Sequence, residues 1–203
     1  MKSLILVRHA HAESNAGAVV NSTPPGGGLS EEGREEARLL GSRLAFDAIE
    51  VGFSSRLRRT QQTLDLALSG RSIPRVVEPL LDEIGFGSFE GGSLAVYREW
   101  AWENEPDTPC PGGGESRTDA ARRLATALSV LLDRPEETLL VVSHALPIRY
   151  VIDASDGRFP AARLEQVAHA TPFRLPRDAV QLAVETLRGW AEAPRFVDTP
   201  FGG

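Results

Sequence analysis

The apolar run Leu4–Val7, which ends abruptly in Arg8 and His9, constrains the fold of this chain more than any other segment. A short apolar run that stops at two polar residues is typical of a buried strand, which delivers its last side chains to the carboxyl edge of a sheet. In open α/β sheets, ligands bind at that edge. An arginine beside a histidine suits an anionic ligand, and phosphate above all. The segment therefore predicts an α/β sheet with an anion site at the end of its first strand.

Composition limits the classes of protein that this chain can belong to. With 203 residues, of which 41% are hydrophobic and 25% charged, it fits one globular domain with a substantial core. The net charge of −6 argues against general nucleic-acid binding but does not exclude one local basic pocket. The single cysteine, Cys110, excludes an internal disulfide and fits a reducing compartment. No apolar run approaches the ~20 residues of a membrane span. The apolar run near the start is too short, and is followed too closely by a charged residue, for a secretory signal. We therefore expect a cytoplasmic protein without membrane or nucleic-acid partners.

Strand-like and helix-like segments alternate along the chain. Expected strands cover residues 4–7, 49–53, 76–77, 138–142 and 167–173. Expected helices begin at the Ser30 cap, cover 56–69 and 116–133, begin again near Pro147, and cover 177–190. This alternation predicts a three-layer α/β/α sandwich with a mostly parallel central sheet, whose strand order the sequence does not reveal. We expect a single domain over residues 1–203, with an irregular, cap-like segment around 84–115.

A second strand ends in the same way as the first, since residues 138–142 are followed by Ser143 and His144. Two histidines at the carboxyl ends of parallel strands would lie side by side, which makes a purely structural role for both less convincing. Arg59 follows another strand end and lies at a helix start, where free backbone N–H groups and a guanidinium can bind phosphate oxygens. Its neighbours Arg56 and Arg58 are interpreted as a solvated helix face.

Five short motifs occur in an order that resembles a known family. They are Arg8-His9, the segment 54–63, the Leu81–Gly91 stretch with its spaced glycines and acids, Gly-Gly-Glu-Ser at 113–116, and Val-Val-Ser-His ending at His144. Each motif alone is weak, but together they cover roughly residues 1–152 and are specific. The chain is identified on them as a member of the histidine phosphatase superfamily, the phosphoglycerate mutase-like group.

The resemblance implies a role for each matched residue. His9 would be the nucleophile that forms a phosphohistidine, while Arg8, Arg59 and His144 would hold the phosphoryl oxygens and stabilise their charge. Elementary chemistry agrees, because phosphoryl transfer needs little more than an in-line nucleophile and a positive cradle. Glu83 would be the general acid that protonates the leaving alkoxide and then activates water.

Other matched or neighbouring residues leave alternatives open. Asp82 and Glu90 compete with Glu83 for the role of the acid, and Glu90 is the better candidate for a structural residue beside its glycine turn. Asn15 matches the family and is expected to contact the substrate phosphate. The resemblance implies no metal and no nucleotide cofactor.

The opening motif also departs from the family, whose usual pattern is Arg-His-Gly-Glu-Ser/Thr-x-x-Asn. His11 replaces an acid. Ala12 removes a hydroxyl that would donate to phosphate, and this departure argues against mutase activity. The spacing of His9 and His11, with Glu13 nearby, is also that of metal ligands. Arg8 beside such a metal and the lack of further ligands disfavour that interpretation, so His11 is predicted at the substrate rim or the surface.

The function expected is hydrolysis of phosphate monoesters, on a small phosphorylated substrate that the sequence does not name. Mutase-type phosphoryl transfer and a weakly active or non-catalytic phosphate-binding role are the alternatives. A homodimer is left open. Structural roles are expected for several other residues. His169 is expected to be a structural residue on the last strand, and Trp100 and Trp102 to pack within the cap. Cys110 is not expected to be a nucleophile. The acidic residues Glu99, Glu103, Glu105 and Asp107 near the cap weigh against polyanionic substrates.

Overall fold

The computed structural model describes residues 1–196, and its centre is a five-stranded sheet. The strands are β1 (Ser3–Arg8), β2 (Val51–Ser54), β3 (Arg75–Val77), β4 (Thr138–Ser143) and β5 (Pro172–Pro176). Their order across the sheet is β3-β2-β4-β1-β5. The first four are parallel, and β5 lies antiparallel to β1 at one edge. The expectation of a mostly parallel α/β sheet is confirmed.

Helices cover both faces of the sheet. They are α1 (Glu13–Ala16), α2 (Glu31–Arg43), α3 (Arg58–Ala67), α4 (Leu94–Glu103), α5 (Arg117–Leu132), α6 (Ala145–Ser155) and α7 (Arg177–Glu192). Because side chains alternate along a strand, Leu4 and Leu6 join a large core with α5, α6 and α7. Ile5 and Val7 join a smaller core with α2 and α3 on the opposite face. The α/β/α layering follows from this alternation, and no helix within residues 1–196 is long and apolar enough to cross a membrane.

Two helix starts agree closely with the sequence signals. The Ser30 hydroxyl caps α2 by accepting a hydrogen bond from the Gly33 amide at 3.1 Å. At α5, the Ser116 hydroxyl accepts from the Asp119 amide at 3.0 Å, and the Asp119 carboxylate accepts in return from the Ser116 amide at 3.4 Å. This reciprocal capping box satisfies two of the free amides that every helix start exposes.

The segment around 84–115 is less irregular than the sequence indicates, because it contains the ten-residue helix α4. Ser93 caps this helix through the Ala95 amide at 3.2 Å. Tyr97 and Ala101, four residues apart, form its buried side. The expectation of an irregular cap was therefore wrong for 94–103, where flanking glycines and prolines hid a short amphipathic helix.

The last strand also differs from its expected bounds, since β5 begins at Pro172 and excludes residues 167–171. Ala170 has a φ of +46°, which takes the chain out of extended geometry. Its amide donates to the Arg8 carbonyl at 3.0 Å. His169 therefore lies in a turn across the end of β1, not on a strand as expected.

The sheet brings three strand ends to one edge. Arg8 at the end of β1 is paired in register with Ser143 at the end of β4. Ser54, the last residue of β2, is paired with Val142 on the other side of β4. The residues that follow these three strands therefore lie close together, as ligand sites in such sheets require.

Candidate active site

His9 follows β1 directly, and its backbone amide donates to the Ser143 carbonyl at 3.0 Å. Its imidazole is almost fully buried, with 3% exposed. Nδ1 lies 2.8 Å from the Ala10 carbonyl oxygen, and Arg59 Nε–H donates to Nε2 at 3.1 Å. Because a carbonyl only accepts and a guanidinium only donates, the neutral ring carries its proton on Nδ1 and its lone pair on Nε2.

The charge state of His9 follows from its surroundings. Burial lowers the pKa of His9 well below its usual value, and the positive charges of Arg59 and Arg8 lower it further. The ring is therefore neutral at physiological pH, with an unprotonated nitrogen facing a cation. This is the state in which imidazole is nucleophilic.

Arg59 lies in the first turn of α3 and contacts both histidines of the site. Its Nη1 and Nη2 donate to the side-chain and backbone oxygens of Asn21, both at 2.8 Å. Nη2 also lies 3.2 Å from His144 Nδ1. Asn21 thus fixes the guanidinium in place. No sequence signal marks Asn21 as part of the site, because it lies in a loop of turn-forming residues, where asparagine is common for local reasons.

His144 follows β4 and is fully buried. Its Nε2 lies 2.9 Å from the Ser55 hydroxyl, which lies 2.8 Å from the Thr60 hydroxyl. Thr60 in turn donates to the Leu57 carbonyl at 2.7 Å. With Arg59 donating to Nδ1, the proton of His144 lies on Nε2, and burial lowers the pKa of this histidine well below its usual value.

Arg8 completes the basic group at the strand ends. Its Nη1 donates to the Val167 carbonyl at 2.7 Å. Its Nε is buried without a hydrogen-bond partner among the residues described. Arg8, His9 and Arg59 line one cavity, as does Ala145, the first residue of α6 after His144. The structure therefore brings together the histidines and arginines that the sequence singled out.

Glu83 lines the same cavity and is half-buried. Burial raises the pKa of its carboxyl group, and this effect outweighs the opposing charges of Arg59 and Arg8 and the hydrogen bond from the Ile84 amide. A carboxyl group with a raised pKa retains its proton closer to neutral pH, as a general acid must.

The competing carboxylates are engaged elsewhere. Asp82 binds Arg56, with Oδ2 2.7 Å from Nε and 2.6 Å from Nη2. It also accepts from the Arg56 amide at 2.8 Å. Arg56 is exposed, as expected, but it lies before α3 and is an ion-pair partner of Asp82, a contact that the sequence did not indicate. Arg58 is exposed, as that expectation requires.

Glu90 holds the loop that contains Asn21. Its carboxylate accepts from the Ser22 hydroxyl at 2.8 Å and from the Thr23 amide at 3.2 Å. It also accepts from the Ser22 amide at 2.9 Å. The structural role expected for Glu90 agrees with these contacts, and the loop it ties down supports Arg59.

Three polar residues from the opening motif and the last turn line the cavity beside the histidines. The Asn15 side-chain oxygen accepts from the Ala12 amide at 2.9 Å and caps α1, which leaves the amide nitrogen of Asn15 for other contacts. His11 Nδ1 lies 2.8 Å from the Ser30 hydroxyl. His169 Nδ1 lies 2.8 Å from the His9 carbonyl oxygen. No group of three or more His, Cys, Asp or Glu side chains within residues 1–196 is placed to hold a metal ion.

The cavity measures about 550 Å³, far more than one phosphate needs. Its charged lining is mainly basic and comprises Arg8, Arg59, Arg98, Arg117, Arg163, Glu83 and Glu165. The four acidic residues of the cap are exposed and line none of it. These four acids therefore do not make the pocket acidic. The expectation that they weigh against polyanionic substrates is not supported by the structure.

The aromatic residues of the cap divide between packing and lining. Trp100 packs against Phe89, with ring centroids 5.3 Å apart. Trp102 lines the cavity, and the Arg163 guanidinium lies 4.7 Å from the centroid of its ring. Cys110 is buried, and burial raises the pKa of its thiol to about 11, which fits the expectation that it is no nucleophile.

Comparison with known proteins defines the class. The family model of the histidine phosphatase superfamily (branch 1) matches residues 4–175, so the chain belongs to this superfamily. Phosphoserine phosphatase 1 of Hydrogenobacter thermophilus is 32% identical over 157 residues, which cover 73% of this chain and 74% of that protein. The 2,3-bisphosphoglycerate-dependent phosphoglycerate mutase of Brucella ovis is 29% identical over 203 residues, covering 92% and 98%.

A solved structure agrees with the fold. The crystal structure of a putative alpha-ribazole-5'-P phosphatase from Escherichia coli superposes with a TM-score of 0.76 at 24% identity, covering 86% of this chain and 90% of that one. The superfamily and the relatives named above are phosphatases and mutases, which supports a phosphatase-type enzyme.

Proposed function

We propose that this protein hydrolyses phosphate monoesters through a phosphohistidine intermediate on His9. The observation that carries the proposal is the state of His9 Nε2, which is unprotonated, buried and 3.1 Å from a guanidinium nitrogen. A phosphoryl group bound by that guanidinium would lie beside the nucleophile, where proximity alone contributes strongly to the rate.

In the first step, the Nε2 lone pair of His9 attacks phosphorus and the P–O ester bond breaks. The bonding electrons leave on the alcohol oxygen, which takes a proton from Glu83. The Nδ1–H of His9 remains bonded to the Ala10 carbonyl throughout, so the ring keeps its orientation. The raised pKa of Glu83 supports its role as the proton donor.

The phosphoryl oxygens would be held by Arg8, Arg59 and His144. Arg8 offers a buried Nε–H without a partner among residues 1–196, and guanidinium groups bind phosphate oxygens in pairs. His144 is neutral without substrate, but a phosphate dianion beside it would raise its pKa. Its Nδ1 could then take a proton and donate to the substrate, while Nε2 keeps its bond to Ser55.

In the second step, water attacks the phosphohistidine and the P–N bond breaks. The Glu83 carboxylate, deprotonated in the first step, accepts a proton from that water. The electron pair returns to His9 Nε2 and inorganic phosphate leaves. The same carboxyl group therefore acts as acid and then as base, which regenerates the starting enzyme.

Hydrolysis is favoured over transfer between two positions of one substrate because of the opening motif. Ala12, the cap residue of α1, has no hydroxyl, and the sequence departs at this position from the pattern that the mutases share. Sequence similarity to the Brucella mutase keeps phosphoryl transfer as the alternative, and the experiment below includes it as an outcome.

The test is to capture the intermediate. Rapid acid-free quenching after mixing with 4-nitrophenyl phosphate, followed by mass spectrometry, should find one PO₃ group on the peptide that contains His9. The modified bond should be labile to acid and stable to alkali, as expected of a phosphoramidate. A His9→Asn variant that keeps full turnover would rule out the mechanism. Transfer of the group to 3-phosphoglycerate faster than to water would favour the mutase alternative.

A further inference from the structure

Arg117, the first residue of α5, lines the cavity and takes no part in the proposed chemistry. It is buried, with 7% exposed. Its Nη1 donates to the Tyr150 hydroxyl at 3.2 Å, and its Nη2 reaches the Ala162 carbonyl only at 3.5 Å. Nε is buried without a partner, and within residues 1–196 no carboxylate forms a salt bridge with this side chain. The guanidinium also lies 5.6 Å from the centroid of the Phe196 ring, so the partners that residues 1–196 provide for it are neutral groups.

Burying a charge without an oppositely charged partner lowers the stability of the fold, and an anionic ligand would compensate for that loss. Arginine cannot lose its proton inside a protein, so the charge itself is buried. Removing a charge from water without pairing it is strongly unfavourable. The guanidinium has five N–H donors, and only two of them are directed at the partners named above.

Tyr97 of α4 adds a second unpaired donor to the same cavity. Its hydroxyl is buried and donates to no acceptor among the residues described, while the Arg117 guanidinium lies close enough to interact with it. Burial raises the pKa of Tyr97 to about 12, so the hydroxyl keeps its proton at neutral pH. The cavity lining contains two acids. Glu83 is assigned to the proposed reaction, and Glu165 lies 3.4 Å from Arg149 and is therefore directed to another arginine.

We propose that Arg117 and Tyr97 form a second anion-binding subsite, which takes a carboxylate carried by the alcohol part of the phosphate ester. One guanidinium and one neutral hydroxyl supply a single positive charge, which matches a carboxylate better than a second phosphate dianion. The planar fork of arginine also fits the two oxygens of a carboxylate. The inference rests on the proposed phosphatase function, because it concerns the same cavity.

The test compares phenyl phosphate with its ortho-, meta- and para-carboxy derivatives. The wild-type enzyme should prefer at least one carboxylated isomer in kcat/KM by about tenfold or more, as expected for a hydrogen-bonded charge pair. Arg117→Met should reduce that ratio to about one. Tyr97→Phe, which removes only the hydroxyl, and Arg117→Lys, which keeps the charge without the fork, should each lower it partially.

A matched control is Arg122→Met, which removes an equal charge from an exposed position of the same helix. It should leave the ratio unchanged. If Arg117→Met does not fold by circular dichroism, the two milder variants decide. A wild-type enzyme without any preference for a carboxylated isomer overturns the inference.

A binding measurement separates this inference from the proposed function. Calorimetry on the wild-type protein would compare benzylphosphonate with 4-(phosphonomethyl)benzoate and its isomers. Binding of benzylphosphonate without any gain from the carboxylate overturns the subsite alone, whereas the absence of any phosphonate binding or turnover overturns both proposals.

Discussion

The two buried histidines of the site are each held in one tautomer by partners with fixed chemistry. His9 is flanked by a carbonyl that only accepts and a guanidinium that only donates. His144 lies between the same guanidinium and the Ser55 hydroxyl. Since each ring is neutral and oriented before substrate arrives, little reorganisation remains for the chemical step.

The role of Glu83 can be tested through the leaving group. Glu83→Gln should reduce kcat/KM for an alkyl phosphate by about 100-fold, because a poor leaving group needs its proton. The loss for 4-nitrophenyl phosphate should be far smaller, and that substrate should release a stoichiometric burst before slow hydrolysis of the phosphoenzyme. Stopped-flow kinetics measures both. Glu99→Gln, on the exposed side of α4, serves as the control, and equal losses on the two substrates would contradict a proton-donating role.

At the scale of elements, the loop around Asn21 links the cap segment to His9. Glu90 binds Ser22 and Thr23, their neighbour Asn21 binds Arg59, and Arg59 binds His9. The loop itself carries no proposed chemistry. Its effect on the reaction would be one of positioning.

Glu90→Ala should therefore lower activity without touching substrate. We expect a loss of about 1–3 kcal/mol in the free energy of unfolding, since a carboxylate with several donors is removed, and a fall in kcat/KM of about tenfold. Glu90→Gln keeps an acceptor and should restore part of both. Urea denaturation and steady-state kinetics measure the effects. A variant with lower stability but unchanged kcat/KM would show that the loop only supports the fold.

Helix α2 approaches the opening motif so closely that one position requires glycine. A Cβ atom added at Gly33 would lie 1.8 Å from the His11 carbonyl oxygen. Gly33→Ala should therefore displace the backbone beside His9, at a cost of about 1–3 kcal/mol or more. Gly189 in α7 has nothing within 4 Å of the same atom, so Gly189→Ala should stabilise the protein by about 0.5–1 kcal/mol. Thermal unfolding of the two variants tests both predictions. Changes of Tm in the same direction for the two variants would contradict them.

The reach of sequence-based prediction differed between elements for physical reasons. β1 and β4 were predictable because both are continuous apolar runs, and their parallel pairing placed His9 and His144 together. Helix α4 was missed because its buried side is held by only a few residues between strong turn formers. Residues 167–171 were expected in a strand, but their hydrogen bonds go to Arg8 and His9, partners far away in sequence. Asn21 and Arg117 depend on such tertiary contacts entirely, so nothing local distinguishes them.

At the scale of the whole molecule, the buried histidines make stability depend on pH. Burial lowers the pKa of His9, His144 and His169, so below about pH 6.5 the unfolded chain takes up protons that the folded protein refuses. The free energy of unfolding should therefore fall as pH drops from 7.5 to 5.5. The raised pKa of Glu83 acts in the opposite direction, since the folded protein binds that proton more tightly.

Each fully buried histidine should contribute about 1.4 kcal/mol to this fall. His144→Gln offers an acceptor for Arg59 and a donor for Ser55, and should reduce the difference between the two pH values by about that amount. Urea denaturation at both pH values measures it. His11→Gln, at the half-exposed rim, serves as the comparison, and an equal reduction in both variants would argue against burial as the cause.

The segment that connects α6 to β5 contacts both the end of β1 and the cap helix α4. Val167 and His169 bind the backbone and side chains at the end of β1, while Arg163 lies over Trp102 of the cap. Residues 162–166, which include Arg163, belong to no helix or strand. Together with the inner side of α4, they line the cavity away from the strand ends. Substitutions in this segment are therefore expected to change which substrates are bound while leaving the residues of the proposed reaction in place.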